Sequence, residues 1–228
     1  MEEFHTMPWL AHLPEPFMPE RHERRDAMEH RRRILAVARQ LFATQGVDAV
    51  SMHQIAVAAG IGQGTLYRRY TNKGELCMEL MHEGHKKFVE EIGALFKAHA
   101  TASALERLDG VLTHLVALFE EQAVWLSAIA APLPQGGSCD EVEGARKFSL
   151  QQAPFYRWLH ELLSCLFSEA VEREEIAALD VSYTADALLA TLHPICYLFQ
   201  RQERGFSAER ILQGLRHIYI KSLQLHTN

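Results

Sequence analysis

The twenty residues Ser51-Met-His-Gln-Ile-Ala-Val-Ala-Ala-Gly-Ile-Gly-Gln-Gly-Thr-Leu-Tyr-Arg-Arg-Tyr70 leave this chain few ways to fold around them. Ser51 followed by Gln54 is a capping box: the serine hydroxyl accepts from the Gln54 amide, and the glutamine side chain reaches back to the Ser51 amide. Val50 and Ile55 stand at the two staple positions that set the approach angle of the chain. A short helix is therefore expected over 52–58, with Ile55, Ala56 and Ala59 facing inward and the alanines permitting a close helix crossing. Gly60 supplies the left-handed conformation of a tight turn. A second short helix follows over 62–69, its inward positions Ile61, Leu66 and Tyr70, so that Gln63, Gly64, Thr65, Tyr67, Arg68 and Arg69 are left at or near the outer surface.

Elsewhere apolar residues recur at helical spacing, and no segment sustains the period-two alternation of a strand. Helices are expected over 24–45 (Ile34, Ala38, Leu41 and Phe42 on one face, Gly46 as the stop), 73–98, 102–121, 122–131, 152–173, 183–203 and 208–225. Asn72 with Glu75 makes an N-cap for the helix at 73. A Pro/Gly break covers 132–137, and Pro8, Pro14, Pro16 and Pro19 mark a mobile N-terminal arm. The expected fold class is all-α: an arm over 1–23, a three-helix helix-turn-helix domain over 24–72, and a helical domain over 73–228.

Charge is unevenly spread. Residues 20–73 carry ten Lys/Arg against five Asp/Glu, residues 74–228 carry thirteen against twenty-one, and the whole chain nets −6. A basic N-terminal third on an acidic body is the asymmetry of a protein in which one module meets a polyanion. No apolar run reaches the roughly 18 residues of a membrane span. The first residues include Glu2 and Glu3 and no apolar signal core, so a cytoplasmic protein without membrane contact is expected. Cys77, Cys139, Cys165 and Cys196 lie far apart with no C-x-x-C pair, which suits reduced thiols. There is no G-x-S-x-G, and Gly62 and Gly64 lie inside the helical motif, not after a strand, so neither a nucleophile elbow nor a phosphate loop is present. No nucleophile–base pair can be nominated, and the expectation is a non-enzyme without a cofactor.

A short helix with a polar outer face fits the major groove of double-stranded DNA, where its N-terminal residues reach base edges. Gln63 can pair with adenine and an arginine with guanine; Gly64 removes a side chain where backbone approaches the duplex; the Thr65 and Tyr67 hydroxyls, and Lys73, can bond phosphates. The competing interpretation is a plain helical hairpin in an all-α core, against which stand Tyr67, Arg68 and Arg69 outside a small apolar cluster. Tyr70 is assigned to the core. Arg31, Arg32 and Arg33, with Arg24 and Arg25, suit flanking phosphates and a solvated helix face equally.

The run Ala59-Gly-Ile-Gly-Gln-Gly-Thr-Leu-Tyr-Arg-Arg-Tyr-Thr-Asn-Lys-Gly-Glu-Leu76 closely resembles the signature of the tetracycline-repressor (TetR) family, and the likeness covers about 30–77. In that family a Gly-Thr-Leu-Tyr run on the third helix and a lysine opening the fourth make the main DNA contacts. The resemblance thus implies contacts from Gly64, Thr65, Leu66, Tyr67 and Lys73, with Ser51 as the cap that touches phosphate. Two departures stand out: Gly62 where serine is frequent, and Arg69 where histidine is common. Both shift operator preference and neither threatens the fold.

Beyond the motif, His114, Phe119, Trp125, Phe155, Trp158 and His193 fall at helical spacing. Core packing explains each singly; together they are candidates to line a small-molecule effector pocket, which the resemblance also implies. Pro194 is expected to kink its helix and free a carbonyl near Ala190. The 183–203 helix is apolar almost all round, so Leu188, Leu192, Ile195 and Phe199, with Ile211, Leu215 and Ile218 of the last helix, are candidates for a homodimer interface. Cys77, His82 and His85 form the tightest set of metal-ligating residue types, but His82-Glu-Gly-His85 is one residue short of a zincin motif and no metal is expected. The function expected is a dimeric repressor released from a palindromic operator by a hydrophobic or aromatic effector. The alternative is a DNA-bound interaction protein without an effector.

Overall fold

The computed structural model describes residues 7–17, 25–130 and 153–225. After a short 3-10 turn at Pro8–His12 come α1 (Arg25–Gln45), α2 (Met52–Ala58), α3 (Gln63–Tyr67), α4 (Lys73–Ala98), α5 (Ala104–Ala130), α6 (Pro154–Glu172), α7 (Val181–Thr191), α8 (Pro194–Leu198) and α9 (Ala208–Arg216). No strand occurs among the described residues, only an isolated bridge between Ile176 and Gln224. The all-α expectation holds. The expected break at 132–137, most of the arm, and residues 24, 131 and 152 of the expected helices lie outside the described residues.

Several helix boundaries differ from expectation. The helices expected at 102–121 and 122–131 are one helix, α5, because neither Gly nor Pro interrupts the hydrogen-bond ladder at the proposed joint. The 183–203 helix begins earlier, at Val181, where the Asp180 carboxylate accepts from the Tyr183 amide at 3.0 Å. It then stops at Thr191 instead of bending through Pro194, and a new helix starts with that proline in its first turn. The carbonyl expected to be freed near Ala190 is taken: Ala190 O accepts from His193 N at 3.2 Å. The last helix is α-helical only through Arg216 and continues as a π turn over His217–Lys221.

The chain divides into two compact units, one of Pro19–Gly84 and Glu121–Ser149, the other of Met1–Met18, His85–Glu120 and Leu150–Asn228. The division falls within α4 and α5 and not at the expected 72/73 boundary. In the first unit, Ile34, Ala38 and Phe42 of α1 meet Ile55 and Ala56 of α2, Leu66 of α3 and Leu76 of α4. Gly46, at φ +81°, ends α1 in a conformation that a Cβ would strain.

The larger unit is built around Phe88, Ile92 and Phe96 of α4, Leu108, Leu112 and Leu115 of α5, and Leu162, Leu166 and Phe167 of α6. Gly110 lets α5 approach α4 closely, since a Cβ there would lie 2.5 Å from Leu95 Cδ2. The described part of the expected mobile arm is docked. Met7 is buried, Trp9 sits edge-on to Phe96 with ring centroids 5.9 Å apart, and Leu10 and Leu13 pack against the same core. Proline content argued for an unstructured arm; the apolar residues between the prolines carry the segment onto the core instead.

Candidate nucleic-acid interface

α2 and α3 are shaped by local chemistry. Ser51 N donates to Gln54 Oε1 at 2.7 Å, and Gln54 N donates to Ser51 Oγ at 3.2 Å, completing the capping box. Gly60, at φ +62°, makes the turn, and Gly60 N and Ile61 N donate to Val57 O and Ala56 O. α3 is shorter than expected, Gln63–Tyr67, with Arg68 and Arg69 in the turn that follows.

Leu66 and Tyr70 are fully buried, whereas Gln63, Gly64, Tyr67 and Arg68 are exposed and Thr65 and Arg69 half-buried. The outward set therefore occupies one side of a single short helix. Arg68 Nη2 donates to Thr65 Oγ1 at 3.2 Å, which preorients the guanidinium along the helix. Gly64 has an ordinary backbone, and a Cβ on it would meet nothing within 4 Å. The fold itself therefore places no demand for glycine at this position. Lys73 is engaged inside the unit: its Nζ donates to Val47 O at 2.8 Å and Asp48 O at 3.3 Å. An ammonium has three donors, so one stays available to an external acceptor. Among the basic residues expected near phosphates, Arg31 is half-buried against Glu79, while Arg32 and Arg33 are exposed. Arg24 lies outside the described residues.

Glu79 had no place in the sequence reading. It accepts from Tyr70 Oη at 2.5 Å and from Arg31 Nε, and one turn further on Glu83 pairs with Arg39 at 2.7 Å. The available signal was the acidic stripe Glu75, Glu79, Glu83 at four-residue spacing on α4, facing arginines eight apart on α1. Burial and the neighbouring carboxylate raise the Tyr70 phenol well above its ordinary value, so it remains a donor.

The remaining predicted residues scatter. Phe155 and Trp158 come together, ring centroids 6.0 Å apart, with Phe88 edge-on to both and His85 stacked on Phe155 at 3.9 Å. Phe119 rests on Tyr197 at 5.1 Å. His114 Nδ1 lies 2.8 Å from Gly110 O of its own helix. His193 caps α8, and burial lowers its pKa. Trp125 belongs elsewhere: it packs against Phe42 at 5.9 Å in the helix-turn-helix unit, so it does not join the others. Of the seven interface candidates, Leu188, Leu192, Ile211 and Leu215 are buried within the subunit, because the short α7 and α9 turn their strongest apolar stripes onto its core. Ile195, Phe199 and Ile218 are exposed, as is Tyr183. Cys77 is fully buried and its thiol is pushed up to about 12 by desolvation. Among the described residues no three His, Cys, Asp or Glu side chains cluster as metal ligands, and no helix is long and apolar enough to cross a membrane.

Residues 34–80 match the family described as bacterial regulatory proteins, tetR family. An HTH-type transcriptional regulator of Staphylococcus aureus (strain USA300) is 29% identical over 200 residues, which cover 86% of this chain and 96% of that protein. Among solved structures, NalD of Pseudomonas aeruginosa, the secondary repressor of the MexAB-OprM multidrug efflux pump, superposes with a TM-score of 0.60 at 22% identity, covering 89% of this chain and 100% of that one. The TetR-family repressor FadR of Thermus thermophilus, in complex with lauroyl-CoA, superposes with a TM-score of 0.61 at 14% identity, covering 87% and 97%. These two likenesses establish a shared fold. With the family motif lying on the exposed short helix, residues 34–80 are similar to the regulatory domain of the tetR family, and the chain is similar through most of its length to HTH-type transcriptional regulators.

Proposed function

We propose that this protein is a dimeric repressor that lays α3 of each subunit in successive major grooves of an inverted-repeat operator and lets go when a small apolar or aromatic effector binds in the larger unit. The observation that carries the reading is the partition of α3 and the turn after it, with Leu66 and Tyr70 buried while Gln63, Gly64, Tyr67 and Arg68 face solvent. Such a face offers base-reading side chains, and Ser51, Thr65, Arg69 and Lys73 flank it as phosphate contacts. Two-fold symmetry would set the half-sites about 34 Å apart or a multiple of that. Exposed Tyr183, Ile195, Phe199 and Ile218 support self-association. The acyl-CoA complex of the similar Thermus repressor supports a small-molecule effector, with α4, which runs from one unit into the other, as the element to transmit its binding.

The test is binding to an operator selected from random duplexes, read by fluorescence anisotropy at several salt concentrations. If Arg68 pairs with a base, Arg68→Ala costs about 1–3 kcal/mol on the selected site and relaxes one position. Uniform weakening on all duplexes would move Arg68 to phosphate, and unchanged affinity would remove it from the interface. A thermal-shift screen of aromatic and acyl compounds, followed by operator release, tests the effector.

A further inference from the structure

Arg107 is a charged side chain with no exposed surface at all, and its ionic partner Glu169 is one-tenth exposed, the two joined at 2.5 Å across α5 and α6. Over this pair lies the N-terminal segment. Trp9 Nε1 donates to Glu169 Oε2 at 3.2 Å, and Met7 Sδ faces Arg107 Nη1. The other carboxylate oxygen, Oε1, takes Arg107 and also Arg173 at 2.7 Å.

The segment fills this seat with weak contacts. A thioether is a poor acceptor for a buried guanidinium, and the indole hydrogen bond lies at the long end of the range. The aromatic wall is Phe96, met edge-on by Trp9 and lying 5.9 Å from the Arg107 guanidinium carbon. A site with an aromatic wall and a buried carboxylate oxygen aimed at a ring N–H selects flat, apolar molecules that carry one N–H donor.

We propose that the groove between Phe96, Arg107 and Glu169 is a binding site for planar aromatic compounds bearing a ring N–H, and that Met7 and Trp9 are its displaceable internal occupant. The compound donates to Glu169 Oε2 in place of Trp9, and the N-terminal segment leaves as it enters. The inference rests on the effector reading above by naming the chemistry of its ligand, yet it can be tested without DNA.

Indole and 1-methylindole serve as probes of nearly the same shape, only the first having the N–H. The wild-type chain is followed by hydrogen exchange of the peptide spanning residues 7–13. Indole should speed that exchange at least about tenfold at saturation, and 1-methylindole should leave it within about twofold. In Trp9→Phe, which keeps a ring and loses the competing donor, indole should bind at least about threefold more tightly than in the wild type. Unchanged exchange with indole, or equal effects of the two probes, overturns the proposal. Met7→Leu offers a second variant that weakens the internal occupant without touching the indole seat, and it too should bind indole more tightly. If indole displaces the segment and operator affinity does not change, the site stands and its role as effector site falls. If another compound releases the operator while indole leaves the segment docked, the site falls and the effector reading stands.

Discussion

Tyr70, the last inward residue after α3, donates its hydroxyl to Glu79 on α4 at 2.5 Å, and the second oxygen of that carboxylate holds Arg31 of α1. Helices α1 and α4 and the segment that follows α3 are thus tied at one carboxylate. A hydrogen bond to a charged group contributes about 1.5–3 kcal/mol. Tyr70→Phe should lose about 1.5 kcal/mol, because Arg31 still holds Glu79. Glu79→Ala should lose more, since it leaves the buried Tyr70 phenol without its acceptor and also removes the Arg31 ion pair. Urea denaturation of the two variants, and of the double variant with Arg31→Ala, measures the coupling. Equal small losses would show that the triad does not act as a unit.

Gly64 gives the opposite signs for stability and binding. Nothing lies within 4 Å of its would-be Cβ and its backbone is unstrained. In a helix alanine is favoured over glycine by about 1 kcal/mol. Gly64→Ala should therefore raise the denaturation midpoint slightly and, if α3 enters the groove as proposed, weaken operator binding, because the added methyl would stand at that face. A variant with unaltered operator affinity would place that part of the helix away from DNA.

Acidification should weaken the larger unit through Glu120. Its carboxylate takes both arms of Arg201, each at 2.7 Å, and the Tyr197 hydroxyl at 2.6 Å. Arg201 chiefly, then Tyr197, holds its pKa below the ordinary carboxylate value. The folded state thus binds a proton less readily than the unfolded chain, so this stabilisation is present above the usual carboxylate range and is lost as pH falls through it and below. Glu120 is about a third exposed, so solvent screens part of the effect. Comparing wild type with Glu120→Gln between pH 7 and pH 3 should show a shallower loss in the variant. Parallel curves would mean that the pair contributes nothing to acid sensitivity.

Thiol reactivity should separate the described cysteines. Cys196 is exposed, Cys77 is fully buried with its thiol pushed up to about 12, and burial pushes Cys165 to about 11. Maleimide labelling at pH 8, read by peptide mass spectrometry, should modify Cys196 first and reach Cys77 only on unfolding. Cys196 adjoins exposed Ile195, so if the chain self-associates through this face as proposed, labelling of Cys196 should slow as protein concentration rises. Rapid native modification of Cys77 would mean that the helix-turn-helix core opens readily.

The capping box of Ser51 and Gln54, the turn at Gly60, and the inward Leu66 and Tyr70 were legible residue by residue, because each depends on neighbours within a few positions along the chain. The same locality explains the correct reading of α1 and α4, and of which side of α3 is polar. Contacts between distant segments were not legible. Nothing near Met7 and Trp9 announces that they lie over Arg107 and Glu169, roughly a hundred and a hundred and sixty residues away. Nor does helical spacing say which of two cores receives Trp125, or that Leu188 and Leu215 face inward while Ile195 and Ile218 face out. Periodicity identifies an apolar stripe; only the three-dimensional arrangement of the other helices decides what covers it, because burial is a property of surfaces brought together and not of the segment that carries them.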